Sequence, residues 1–230
     1  MQPYFFPYIG YWQLLNLVDT YVIYDDVNYI KRGWINRNQI LLNGKEKRIN
    51  LHIRDASQNR LICDTELAQT EEDNRKLLET ITQAYHKAPY FCQTFEVINR
   101  ILEYPEKNLA KYLTNQIYEM CEYFDIHTKI VLSSGVNKNN SLKGEEKIIS
   151  ICKELEGDCY INAIGGKGLY HPKNFRAEGM QLQFLKTGEV HYNQASERFI
   201  PSLSIIDVMM YNKVDDVKKL LEIYTLEKGL

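Results

Sequence analysis

The stretch Lys129-Ile130-Val131-Leu132-Ser133-Ser134-Gly135, an amphipathic run over Gly144–Leu155, and then Cys159-Tyr160-Ile161-Asn162 entering Ile164-Gly165-Gly166 decide how this chain is read. Two short apolar runs of strand composition each end in a loop of small residues, with a helical pattern between them. This strand–loop–helix–strand alternation implies parallel strands joined by crossover connections. Both small-residue loops then fall on one carboxyl edge, where ligands gather in open α/β sheets. Backbone N–H groups in such loops are free to face an anion or a sugar hydroxyl.

Upstream, Thr20–Tyr24 is a β-branched, aromatic run that reads as a buried strand delivering Asp25-Asp26 at its carboxyl end. A carboxylate pair there is a candidate for metal, ribose or general-base duty, or else an Asx-turn or helix cap. Trp12–Leu17 reads as a short helix. Asn43-Gly44 joins Gln39–Leu42 to Arg48–Ile53 as a β-hairpin, since Asn-Gly supplies the positive φ angles of a tight primed turn. Residues 71–87, Phe91–Leu102 and Leu109–Phe124 carry helical spacing, with Pro89 and Pro105 as breaks, so 70–125 is a mostly helical subregion. Downstream, Met180–Leu185 and Val190–Tyr192 are expected strands. Ser204–Met210 is an expected helix, with Ser202 or Ser204 at its start and Asp207 in its first turns, and Val214–Tyr224 is a last one. The expected fold is α/β: a mostly parallel, Rossmann-like (nucleotidyltransferase-like) sheet with an inserted β-hairpin and a helical segment, in one domain over 1–230.

The chain has 230 residues, 44% hydrophobic and 25% charged, with a formal net charge of −2, which describes a globular chain with room for a core. That balance gives no reason to expect a nucleic-acid partner, since phosphate-backbone binding normally shows as a basic excess. A local cluster of Lys and Arg around 31–54 could still meet a phosphate. Five cysteines without a Cys-x-x-Cys pair fit a reducing compartment, so a cytoplasmic location is expected. No run of about 18 apolar residues and no basic-then-apolar leader is present, so no membrane span is expected. The five histidines show no ligand spacing, and no metal site is expected from them.

The amino-terminal stretch mixes rigid backbone, aromatics and charges: Gln2-Pro3-Tyr4-Phe5-Phe6-Pro7-Tyr8-Ile9-Gly10-Tyr11-Trp12, then Lys31-Arg32-Gly33-Trp34 and Asn36-Arg37-Asn38. Pro and Gly define a shaped loop here. Such a loop either plugs the core with Phe5, Phe6, Ile9 and Trp12 or holds a ligand. Among the 17 tyrosines, Tyr4, Tyr8, Tyr11, Tyr29, Tyr170 and Tyr192 sit beside Gly, Pro or Asn, where a ring suits stacking on a sugar or base. Gly165-Gly166-Lys167-Gly168 lacks the spacing of a P-loop. His171, beside that loop, is the best histidine for acid–base work.

These blocks, together with Ala84-Tyr85, Lys87-Ala88-Pro89-Tyr90-Phe91, Ser133-Ser134, Leu169-Tyr170 and Phe199-Ile200-Pro201, resemble the WbqC-like protein family over nearly the whole chain. Members of that family typically carry a short apolar strand before the Gln-Pro, so the customary first strand is expected to be absent or reduced ahead of Gln2. The resemblance implies bacterial surface-polysaccharide (O-antigen type) biosynthesis, with an acyl or aminoacyl group, glycine being one candidate, added to a nucleotide-linked amino sugar. It marks Asn162, Gly165, Gly166 and Tyr170 as substrate contacts. With the residue-level reading, the candidate catalytic groups are Asp25, Asp26, Lys31 and His171. The candidate substrate-binding groups are Gln2, Tyr4, Gly10, Arg32, Arg37, Asn38, Ser133, Ser134, Asn162, Gly165, Gly166, Tyr170 and Tyr192. ATP with Mg²⁺ is a candidate cofactor, and an aminoacyl-tRNA or a thioester an alternative acyl donor. Two other readings stay open: a non-catalytic sugar-nucleotide or glycan-binding scaffold, and a charged cluster that only rigidifies the fold through Asp25/Asp26 pairing with Arg32/Arg37.

Overall fold

Strand β1 (Thr20–Ile23) pairs in parallel with β4 (Lys129–Leu132), so that Thr20 faces Lys129 and Ile23 faces Leu132. The structure, a computed structural model, describes residues 1–229. A second sheet has the order β5-β6-β7: β5 (Cys159–Ala163) runs parallel to β6 (Gln181–Thr187), and β7 (Tyr224–Lys228) antiparallel to it. The third is the hairpin of β2 (Arg37–Leu42) and β3 (Lys45–Asn50), turned by Asn43 and Gly44 at φ of 53° and 70°. Two positive φ angles in a two-residue loop are the primed turn that Asn-Gly favours.

Helix α1 (Ile9–Leu17) precedes β1. The long excursion from β1 to β4 holds the hairpin and then α2 (Glu71–Tyr85), α3 (Phe91–Leu102) and α4 (Leu109–Phe124). Thr70 and Asp73 form a capping box at the start of α2, and its inward stripe is Leu77, Ile81 and Tyr85. Asn108 caps α4 through Lys111 N–H, and Asp125 ends it in the left-handed region at φ 57°. Helix α5 (Gly144–Glu154) links β4 to β5, α6 (Pro172–Ala177) links β5 to β6, and α7 (Ile205–Tyr211) and α8 (Val214–Leu220) precede β7.

The buried side chains fall into two clusters. The larger joins Phe5, Phe6, Tyr11, Trp12 and Phe124 to α2–α4 and α7, and the smaller joins Ile148, Phe175, Met180, Leu182 and Phe184. Along β6, Leu182 and Phe184 belong to the smaller cluster and Leu185 to the larger, so strand alternation sets the two on opposite faces of the sheet.

Three expectations are corrected. The strands do not form one continuous, mostly parallel sheet; β1-β4 and β5-β6-β7 stand apart. Between them lies a cavity of about 290 Å³, walled by Thr20, Tyr21 and Val22 on one side and Cys159, Tyr160 and Ile161 on the other. Val190–Tyr192 forms no strand, because its backbone makes no ladder and the Tyr192 hydroxyl is drawn onto Asp207 at 2.6 Å. The last helix stops at Leu220, and Tyr224–Lys228 instead extends as the antiparallel edge of the second sheet. Helix α6, opened by Pro172 in its first turn, was not foreseen.

The amino-terminal loop is a buried fixture. Gln116 accepts from Phe6 N–H through Oε1 and donates through Nε2 to Tyr4 O, both at 3.0 Å. Asn38 Nδ2 donates to Phe5 O at 3.0 Å and Phe6 O at 2.7 Å, and Ser204 Oγ donates to Phe6 O at 2.8 Å. Together they hold Phe6 at φ 41°, a conformation an aromatic residue adopts only when its surroundings over-determine it. Gly10 is spatially required, since a Cβ there would collide with Thr187 Oγ1 and the Tyr8 ring. Asn38→Ala leaves the Phe5 and Phe6 carbonyls short of their Asn38 donors and should destabilise the protein by about 2–4 kcal/mol in urea unfolding. A loss below about 1 kcal/mol would mean that the clamp on this loop does not depend on Asn38.

Candidate functional site

Because β1 and β4 are parallel and in register, the residues that leave their carboxyl ends travel side by side, and Asp25-Asp26 meets Ser133-Ser134. Ser133 Oγ accepts the Asp25 N–H at 3.1 Å and lies 3.0 Å from Asp25 Oδ1 and 2.5 Å from Asp26 Oδ1. Ser134 gives its N–H to Asp25 Oδ1 at 2.9 Å and its hydroxyl to Asp25 Oδ2 at 2.7 Å. Asp26 Oδ2 receives two ammonium groups, Lys138 and Lys147, each at 2.9 Å. Lys147 also donates to Asp26 O at 2.8 Å and lies 5.4 Å from the centre of the Tyr24 ring, while Lys138 bonds Ser133 O. Two carboxylates and two ammoniums make a formally neutral cluster.

Burial alone would push the Asp26 carboxyl up, but hydrogen bonds from Lys138, Ser133 and Lys147 hold it below the usual range. Tyr24 is pushed up to about 12, by burial first and then by the Asp26 charge and by Tyr170. Tyr170 touches Tyr160 through their hydroxyls at 3.2 Å, and both rings pack on Phe175. The structure therefore brings together Asp25, Asp26, Ser133 and Ser134, with Tyr170 nearby through Tyr24. Ser134 alone of the four bonded residues is exposed.

Other candidates are placed elsewhere or occupied. Asn162, at the carboxyl end of β5, is buried, with Oδ1 on Ala163 N–H and its amide against Gly166, where a Cβ would clash. Gly165 borders open space. Lys31 and Arg32 are exposed on a loop with Trp34, and Arg37 braces that loop through Gly33 O at 2.7 Å. The expected pairing of Asp25/Asp26 with Arg32/Arg37 is not formed; Lys138, in the chain after β4, and Lys147, on α5, take Asp26 instead. His171 is exposed, with Nδ1 3.6 Å from Glu145 Oε2. Tyr4 packs at 5.8 Å on Tyr11, and Gln2 is half-buried. Gly10 and Asn38 serve the amino-terminal loop.

Tyr192 belongs to a second buried network. Asp207 accepts from Tyr85 at 2.7 Å, Tyr192 at 2.6 Å and Gln194 at 2.9 Å, with no cation paired to it among the described residues. Burial raises its carboxyl above the usual range against the pull of those three bonds.

Sequence reading missed Lys138 and Lys147. Lys147 had a signal: it stands on the buried face of α5 with Ile148 and Ile151, where a lysine needs a partner. Among the described residues no cluster of three His, Cys, Asp or Glu side chains could hold a metal ion, and no helix is long and apolar enough to cross a membrane. Asp25 and Asp26 do not fit Mg²⁺ as they stand, since every carboxylate oxygen is engaged and two of the donors are cations.

A family model described as "WbqC-like protein family" matches residues 2–219. Among curated proteins the chain is similar to the uncharacterized protein Rv1507c of Mycobacterium tuberculosis, at 22% identity over 211 residues, 91% of this chain and 90% of that one. No solved structure matches.

Removing the Asp26 charge strands two buried ammoniums, so Asp26→Asn should destabilise by about 3–5 kcal/mol at pH 7. Its folded carboxyl lies below the unfolded value of about 3.9, so its stabilisation is present above that pH and fades as pH falls through the folded value. Urea midpoints from pH 7 to 2 should show the variant with a shallower acid loss than the parent; identical acid limbs would sink this account.

Proposed function

The chain belongs to the WbqC-like protein family, and from that membership and the cluster at the carboxyl ends of β1 and β4 we propose a role in bacterial surface-polysaccharide biosynthesis. In this reading the protein transfers an acyl or aminoacyl group, glycine being one candidate, to the amino group of a nucleotide-linked amino sugar. The observation that carries it is the exposed Ser134 hydroxyl held 2.7 Å from a buried carboxylate, Asp25. As the amine attacks the activated carbonyl, the N–C bond forms and the bond to the leaving group breaks. The amine proton passes to Ser134 Oγ, the Ser134 proton to Asp25 Oδ2, and from there a proton reaches the leaving group. Asp26, locked by Lys138 and Lys147, positions Ser133 and through it Asp25. The rings of Tyr24 and Tyr170 would flank the sugar or base, and Lys31, Arg32 and Arg37 would meet phosphate. ATP, a thioester or an aminoacyl-tRNA would supply the activated acyl group. On this view 1–230 acts as one cytoplasmic domain.

A binding scaffold without catalysis is the second reading. It is favoured by one observation, that no oxygen of Asp25 or Asp26 is left without a donor.

Thermal shift against nucleotide-linked amino sugars, with and without ATP and Mg²⁺, reads binding, and mass detection of N-acylated sugar reads transfer. Transfer predicts that Ser134→Ala keeps the sugar-induced shift and loses about 10²-fold or more in rate. Stabilisation by sugars without product from the parent protein would favour the scaffold, and no stabilisation by any of them would sink both.

A further inference from the structure

We propose that the outer edge of β7 is the interface of a homodimer, formed about a two-fold axis at Leu226 so that the three-stranded sheets of two copies run on as one. Gly188 N–H bonds Ile223 O and Gly229 N–H bonds Leu182 O, each at 2.9 Å, which fixes the phase of the antiparallel ladder. In that phase Ile223, Thr225, Glu227 and Gly229 turn their backbone groups to β6, and Tyr224, Leu226 and Lys228 turn theirs outward. No described strand pairs with the outward side, and the Leu226 side chain is 42% exposed. A row of unpaired N–H and C=O groups is a template for another strand.

The row fits its own copy. With Leu226 opposite the partner's Leu226, each Leu226 N–H meets the other's carbonyl, and each Lys228 N–H meets the carbonyl of the partner's Tyr224. On one face the half-exposed leucines cover each other, and the Lys228 stem lies along the ring of the partner's Tyr224. On the other face Thr225 stands opposite the partner's Glu227, so no like charges meet. Moving the axis to Glu227 or to Lys228 would set like charges against each other and shorten the ladder. Strand edges kept from pairing carry charges, prolines or bulges. The edge strand β3 is of that kind, with Lys45-Glu46-Lys47-Arg48 in succession, whereas Tyr224–Lys228 has no proline and keeps an unbroken register with β6. Glu227 also holds Lys167 at 2.9 Å, which ties Ile164–Leu169, the turn whose Gly166 packs on Asn162, to the strand that a second copy would stiffen.

Sedimentation velocity from about 5 µM to about 500 µM reads the association, since one strand pair is a small contact and a dimer held by it dissociates in this range. Amide hydrogen exchange over the same span reads the edge. A dimer should form, and on concentrating the protein the Leu226 amide should slow by about tenfold or more while the Thr225 and Glu227 amides, already bonded to β6, keep their rates. Leu226→Pro removes an outward N–H and no ladder bond, so it should stay folded and sediment as a monomer. Leu226→Lys sets two ammoniums across the axis and should weaken the dimer by about tenfold or more, a readout that stands even if the proline variant does not fold. A parent protein that is monomeric at the highest concentration overturns the proposal. So does a dimer whose Leu226 amide keeps its dilute rate, or one that Leu226→Lys leaves intact.

Discussion

A single buried hydroxyl, Ser133 Oγ, ties the ends of the two strands that carry the candidate chemistry. It touches Asp25 and Asp26 at once, and it does so only because β1 and β4 run parallel with Ile23 opposite Leu132. A slip of one residue would send Ser133 to the other face and leave two carboxylates in the interior with no donor from β4. Lys138 and Lys147 then complete the cluster from the chain that follows β4, so one register fixes six side chains.

Buried carboxylates are handled here in two ways. Asp26 stays charged because two ammoniums and a hydroxyl outweigh its desolvation, whereas Asp207 has only neutral donors and is left with a raised carboxyl. The linkage signs are opposite. Asp26 adds stability above the ordinary carboxylate range, while the favourable share of Asp207 is whole in acid and declines as pH climbs through its folded value.

Much of the architecture was legible because local rules acted alone. Asn43-Gly44 dictated its hairpin, Thr70 with Asp73 began α2, and the runs 129–132 and 159–163 fell where their composition put them. Reading failed where distant partners decided the outcome. Val190–Tyr192 has strand composition, yet Asp207 claims Tyr192; the helical reading ran on to Tyr224, yet an open edge of β6 recruits Tyr224 with the four residues after it. In the candidate site, Asp25, Asp26, Ser133 and Ser134 were visible as residues leaving strand ends. Their lysine partners were not, since pairing across more than a hundred residues leaves no spacing to read. Asn38, a polar residue in an aromatic, charged stretch, reads as a ligand contact in the sequence, and in the structure its amide donates to the backbone of Phe5 and Phe6.

The segment 188–204 has no helix or strand of its own; Gly188 and Ser204 anchor its ends to Ile223, Gln39 and Phe6, and between them Gln194 and Tyr192 tie it to the body. Gln194 bonds both Ile200 N–H and Ile200 O, closing the segment into a ring, and the same side chain reaches Asp207. Because the Tyr192 and Gln194 bonds converge on one buried carboxylate oxygen of Asp207, losing either takes a donor from a group that has only neutral ones. The segment should therefore come away from the body as a cooperative unit, all at once or not at all, rather than fraying from either end as an ordinary surface loop does.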